Sequence, residues 1–239
     1  MRRWGARSAT TLAVLTLIGI SAGCGGDGDG EAAPSKDGTP APSASSKPPD
    51  TPPLTKAQAQ RALLDAADLP PGWAVSDEDL AGKPEKADNF SGMQVDANCR
   101  AFIDRYNKAI GPSAVTVERE LEHSGSDRKV GISLSSYRGD GAMQHMAMIR
   151  DLTKQCPAGG RIGGYKVKYG SLNIPPQGDD SAGMRMTMTD SSGSARFDGA
   201  QIRVGSSLLD ITFFGDAADD PTLVSTITGK AAAKVRQAG

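Results

Sequence analysis

The sequence predicts an α+β domain over Leu54–Gly239, with a mostly antiparallel sheet of about six strands and helices packed on one face. Three observations carry this. Six segments alternate apolar and polar residues with period 2, as half-buried strands do. Most of them are joined by spans too short for a crossover helix, which makes neighbouring strands antiparallel. Four further stretches place apolar residues on single helical stripes, and such stripes need a shared sheet face to cover. The remaining 186 residues after position 53 are enough for one continuous core.

Each element has a local cause. Thr55 and Gln58 form a capping box that opens a helix through Ala67, which Pro70-Pro71-Gly72 ends, leaving Trp73 to pack beneath it. Asp96 caps a second helix whose Cys99, Phe102, Ile103, Tyr106 and Ile110 follow 3-4-3-4 spacing before Gly111. Val115, Val117 and Leu121 share one face, as do Val130, Ile132 and Leu134, and the turn Ser124–Asp127 between them makes a hairpin. A third helix begins near Asp140, carries Ala142, Met146, Ile149, Thr153 and Cys156 on one stripe, and stops at Pro157. Four strands follow, marked by Tyr165/Val167/Tyr169, Met184/Met186/Met188, Ala200/Ile202/Val204 and Leu209/Ile211/Phe213. Asp220-Pro221 starts a last helix with Val224, Ile227, Ala231 and Val235 on one side.

The N-terminal region predicts where the domain is held. Arg2, Arg3 and Arg7 precede the apolar run Leu12–Ile20, then Ser21-Ala22-Gly23, then Cys24. A positive segment, a short apolar segment and small residues form a secretion signal over 1–23, and the apolar run is too short to span a bilayer. Cys24 directly after the cleavage point resembles a bacterial lipobox, in which the thiol is diacylated; Ser21 departs from the aliphatic residue usual three positions earlier. Residues 24–53 are rich in Gly, Pro, Ser, Ala and Asp and lack aromatic and large aliphatic side chains, so they read as a disordered tether. The expected placement is therefore the extracytoplasmic side of a cell membrane, held by acyl chains.

Composition excludes several function classes. Removing Arg2, Arg3 and Arg7 from 27 Lys+Arg leaves 24 against 28 Asp+Glu, a formal charge of −4. With no basic run either, nucleic acid is not an expected partner. Two histidines, His123 and His145, are expected at the surface or at strand ends, not as general bases. Ser126–Lys129 matches Ser-x-x-Lys but falls in the hairpin turn and lacks a companion Lys-Thr-Gly. No nucleophile elbow, zinc motif, phosphate loop or dinucleotide turn is present, so no enzyme activity, metal or cofactor is expected.

The remaining candidates are sulfur residues. Cys99 and Cys156, in a compartment where thiols are oxidised, are expected to form a disulfide; they lack the CxxC spacing of a redox or metal pair. Six of the eight methionines fall in two windows, Met143/Met146/Met148 on the third helix and Met184/Met186/Met188 on one strand face. Three readings stand: helix-to-sheet core packing, a soft wall for an apolar or amphipathic ligand formed by Met143, Met146, Met184, Met186 and Met188, and a Cu(I) site.

Leu63–Trp73, the cysteine opening a helix at Cys99, the hairpin and the helix ending in Cys156 together resemble actinobacterial cell-envelope lipoproteins and the extracellular sensor domain of mycobacterial Ser/Thr kinases. The resemblance covers most of Leu54–Gly239. It implies an antiparallel sheet with helices packed on it and a ligand cleft. This chain has no kinase segment and lacks the cysteines for the second disulfide of those domains. The functional expectation is a tethered domain that binds a small apolar or cell-wall-derived ligand; the alternative is a protein-interaction module for an envelope enzyme or transporter.

Overall fold

A computed structural model describes residues 51–76, 90 and 92–239. Cys24, the signal segment 1–23 and most of the tether lie outside the described residues. The chain forms helix α1 (Lys56–Ala62), a 3-10 turn (Ala66–Asp68), strand β1 (Trp73–Val75), α2 (Ala97–Ala109), β2 (Val115–His123) and β3 (Lys129–Ser136). It continues with α3 (Gly141–Gln155), β4 (Gly160–Ile162), β5 (Tyr165–Leu172), β6 (Asp180–Thr189), β7 (Ser194–Val204), β8 (Ser207–Phe214), a second 3-10 turn (Gly215–Asp219) and α4 (Pro221–Ala238).

The strands make one sheet in the order β1-β2-β3-β8-β7-β6-β5-β4, and every neighbouring pair is antiparallel. The fold class is α+β as expected, but the sheet has eight strands, not about six. The two additional strands are its edges, β1 and β4. Three residues cannot display a period-2 pattern, so neither was legible in the sequence. Trp73 packs in the core that α1 covers, as expected, and it also opens β1, where it pairs with His123.

Helices cover both faces of the sheet, which corrects the expectation of a single covered face. Cross-strand partners share a face, and successive residues alternate. On the first face, Val117, Leu134, Leu209 and Ile202 form one row across β2, β3, β8 and β7, and Leu121, Val130 and Phe213 form another. These residues build a core with α1 and with Leu223, Ile227, Ala231 and Val235 of α4. The opposite face carries a second core: Leu208, with Ala182, Met184 and Tyr169 packed alongside, meets α3 and α2. Leu208 and Leu209 are consecutive and both buried. A strand covered on both sides loses the polar half of its alternation, so the simple stripe Leu209/Ile211/Phe213 concealed the second core.

Local chemistry sets the helix ends. The Thr55 hydroxyl accepts from the Gln58 N–H at 3.3 Å while the Gln58 side chain accepts from the Thr55 N–H at 2.9 Å. The helix ends at Ala62, five residues before the expected Ala67. Asp65 is the reason: its carboxylate accepts from the Ala66 N–H, and Asp68 accepts from the Asp65 N–H at 2.7 Å, so a new capped turn replaces the continuing helix. Asp96 caps α2 and Asp220 caps α4, with Pro221 in its first turn. A disulfide of 2.07 Å joins Cys99 in the first turn of α2 to Cys156 just past α3, as expected.

Candidate functional site

The second face divides into a part under α3 and a part beyond it. Helix α3 packs on β5, β6 and β7. Three rows run across the strands, each starting at a residue packed against the second core, Tyr169, Met184 or Ala182. The first is Tyr169, Met186 and Phe197, continued by Phe214, whose ring meets that of Phe197 edge-on with centroids 5.6 Å apart. The second is Met184, Gly199, Thr212, Gly131 and Glu120. The third is Ala182, Gln201, Asp210, Ser133 and Glu118. The face therefore holds an apolar row, a row with two glycines and a row of hydrogen-bond acceptors.

Two positions of the middle row have no side chain, and neighbouring side chains occupy the space over them. A Cβ on Gly131 would lie 3.5 Å from Cε2 of Phe214, and one on Gly199 would lie 3.0 Å from Nε2 of Gln201. The strand register beneath is held by Arg185 and Asp198, paired across β6 and β7 on the opposite face. The guanidinium donates twice to the buried carboxylate, at 2.7 Å each. Such a fork fixes both the distance and the orientation of the two strands.

The expected methionine wall separates into two groups. Met146 and Met148 have no exposed surface and belong to the second core, and Met184 packs against it. Met146 is thereby removed from any ligand wall, and Met143 is half-buried on α3. Met186 and Met188 remain half-buried on the open part of the face, outside both cores. Phe197 and Phe214 join them there, and neither was singled out in the sequence. Their signal was the other stripe of each strand: Leu208, Asp210, Thr212 and Phe214 alternate with the residues that define the first core.

The acceptor row has a distinct electrostatic character. Gln201 is only 2 % exposed; its Nε2 donates to Oδ1 of Asp210 at 3.2 Å, and its Oε1 has no hydrogen-bond partner. Burial, with a smaller push from the Glu118 carboxylate, raises the Asp210 carboxyl above the usual range, against the opposing bond from Gln201. Lys129, the cation on β3 of this face, is engaged by its cross-strand partner Glu122 at 2.6 Å and by Glu120, two residues along β2, at 3.4 Å.

The other sequence candidates fall elsewhere. His123 closes β2 with its Nδ1 3.0 Å from the Ser126 hydroxyl, and Ser126 sits in the exposed hairpin turn. His145 is buried in α3, contrary to the expected surface or strand-end position, and burial lowers its pKa to about 4. An open groove of about 460 Å³ lies where the start of α2 meets the end of α3, lined by Asp96, Phe102, Arg105 and Lys154 among others and by no methionine. Among the described residues no group of three or more His, Cys, Asp or Glu is arranged to hold a metal.

No protein-family model and no curated protein matches the sequence. Among solved structures, an Rv0999 ortholog from Mycobacterium smegmatis aligns at 12 % identity and a TM-score of 0.40, covering 77 % of this chain and 97 % of that one. The extracellular domain of PknH from Mycobacterium tuberculosis aligns at 14 % identity and a TM-score of 0.50, over 78 % of this chain and 98 % of that domain. The eight-stranded sheet and its helices are thus similar in fold to the extracellular domain of PknH.

Proposed function

We propose that this chain is an extracytoplasmic lipoprotein, held on the membrane through Cys24, whose domain binds a small apolar or cell-wall-derived ligand on the open part of the second sheet face. The observation that carries the reading is the row of Met186, Phe197 and Phe214, with Met188 beside it. These large apolar side chains are half-buried and adjacent, and belong to neither core. Contiguous apolar surface of this kind marks binding faces, and thioethers adapt to ligands of varied shape. The fold likeness to an extracellular domain supports the location. No helix among the described residues is long and apolar enough to cross a membrane; the small-residue segment before Cys24 supports acylation there as the anchor.

Two measurements test this. Cys24→Ala is expected to move the protein from the membrane fraction to the soluble fraction or to stall it as the uncut precursor. Membrane association equal to that of the unchanged chain would remove lipidation from the reading. Met186→Gln is expected to weaken uptake of an apolar fluorescent probe while changing stability by less than about 1 kcal/mol, since a half-buried amide keeps its water. If Met186 served the core, the same substitution would cost about 1–3 kcal/mol. A loss of that size, with no probe bound by the unchanged chain, would favour the protein-interaction module.

A further inference from the structure

The ligand face pairs its apolar row with an unusual polar one. Glu118, Ser133, Asp210 and Gln201 stand side by side across β2, β3, β8 and β7, all on the face of Met186. The two carboxylates flank a single serine, and the Gln201 amide, already donating to Asp210, presents an unpartnered, buried Oε1 beside them. An acceptor at that depth is costly to leave empty. Burial is the main cause of the raised Asp210 carboxyl, and repulsion from Glu118 adds to it. A donor-bearing cation removes both penalties; an anion would aggravate them. Lys129 is taken up by Glu120 and Glu122, so it does not supply that charge to the row.

We propose that Asp210, Glu118 and Gln201 form a cation subsite, so that the ligand is an amphiphile whose protonated amine sits on this row while its apolar body crosses the Gly199/Thr212/Gly131 row onto Phe214, Phe197 and Met186. The rows are four residues apart along the strands, about 13 Å, and the leaning Phe214 ring and Gln201 amide shorten the gap. Gly131 and Gly199 add no side chain of their own to this crossing, which the ligand body shares with Thr212, the Phe214 ring and the Gln201 amide. This inference rests on the apolar-face reading above and specifies the chemical class of its ligand.

The test uses the full chain carrying Cys24→Ser, free of acyl groups, and three twelve-carbon probes below their micelle concentrations: dodecylammonium, neutral dodecyl maltoside and dodecanoate. Calorimetry at fixed ionic strength should show dodecylammonium binding at least ten-fold more tightly than dodecyl maltoside, with dodecanoate weakest. Asp210→Asn and Glu118→Gln should each cut dodecylammonium affinity about five-fold or more and leave dodecyl maltoside unchanged. Asp104→Asn removes the same formal charge from an exposed position on α2, outside the row, and should have little effect, which separates the subsite from general attraction to an acidic protein. Should Asp210→Asn fold poorly, the half-buried Glu118 position still decides. Equal binding of the charged and neutral probes, unaltered by both variants, would overturn the cation subsite and leave the apolar face standing. No binding of any probe would overturn both.

Discussion

Reducing Cys99–Cys156 is expected to lower the unfolding free energy by about 4 kcal/mol. The bond closes a loop with a sequence separation of 57, and in the chain-entropy account freeing a loop of that length restores about this much disorder to the unfolded chain. For a domain of ordinary stability this is a large share of the total. The fold makes the effect local as well. Helix α2 packs chiefly on α3, and besides the disulfide their cross-links include the Tyr106 hydroxyl donating to Asp151 at 3.3 Å. Urea unfolding with and without reductant measures the loss, and hydrogen exchange should show the amides of α2 opening first. Because both sulfurs are fully buried, Cys→Ala variants report the cross-link more cleanly than Cys→Ser, which would bury hydroxyls. Stoichiometric labelling of both thiols in the native oxidised protein would contradict the bond itself.

Acidification is expected to weaken the fold through His145. Its side chain is 8 % exposed, burial is the cause of its lowered pKa of about 4, and its Nδ1 has no hydrogen-bond partner. The unfolded chain takes up this proton near the ordinary value of about 6.5, whereas the folded one resists until about 4. Between those values the unfolded state binds more protons, so the stability present above pH 6.5 is lost as pH falls towards and through 4. The expected loss from pH 7.5 to pH 4.5 is about 2–3 kcal/mol. Asp210 acts in the opposite sense: its raised carboxyl binds a proton more tightly in the folded state and favours folding as pH falls. Comparing the chain with His145→Leu cancels that contribution, because both carry Asp210. Denaturant midpoints at the two pH values should differ markedly in the unchanged chain and much less in the variant. An equal pH response in both would show that His145 is not the group that titrates.

Much of the fold was legible locally. Strand alternation, the capping box of Thr55 and Gln58, and the caps Asp96 and Asp220 all appear in the structure, because each depends on residues a few positions apart. The misreadings share a cause. Asp65 ended α1 early because its carboxylate found a backbone partner one residue on. The buried stripe of α3 is wider than Met146, Ile149 and Cys156 imply, taking in His145, Met148 and Leu152, because sheet and α2 cover it from two sides.

By itself, the sequence determined the fold class, the disulfide partners and the period-2 face shared by Met184, Met186 and Met188. Those follow from spacing along one chain and from the compartment that Cys24 and its preceding segment imply. Only the tertiary structure decided that Met146 is core while Met186 is open, that helices cover both faces, and that Asp210, Gln201 and Glu118 share one row. These depend on strand order and register, which bring β2, β3, β7 and β8 together from distant parts of the chain. A shift of one residue in any of those pairings would turn the whole row to the other face, and no local pattern records which register the packed cores select.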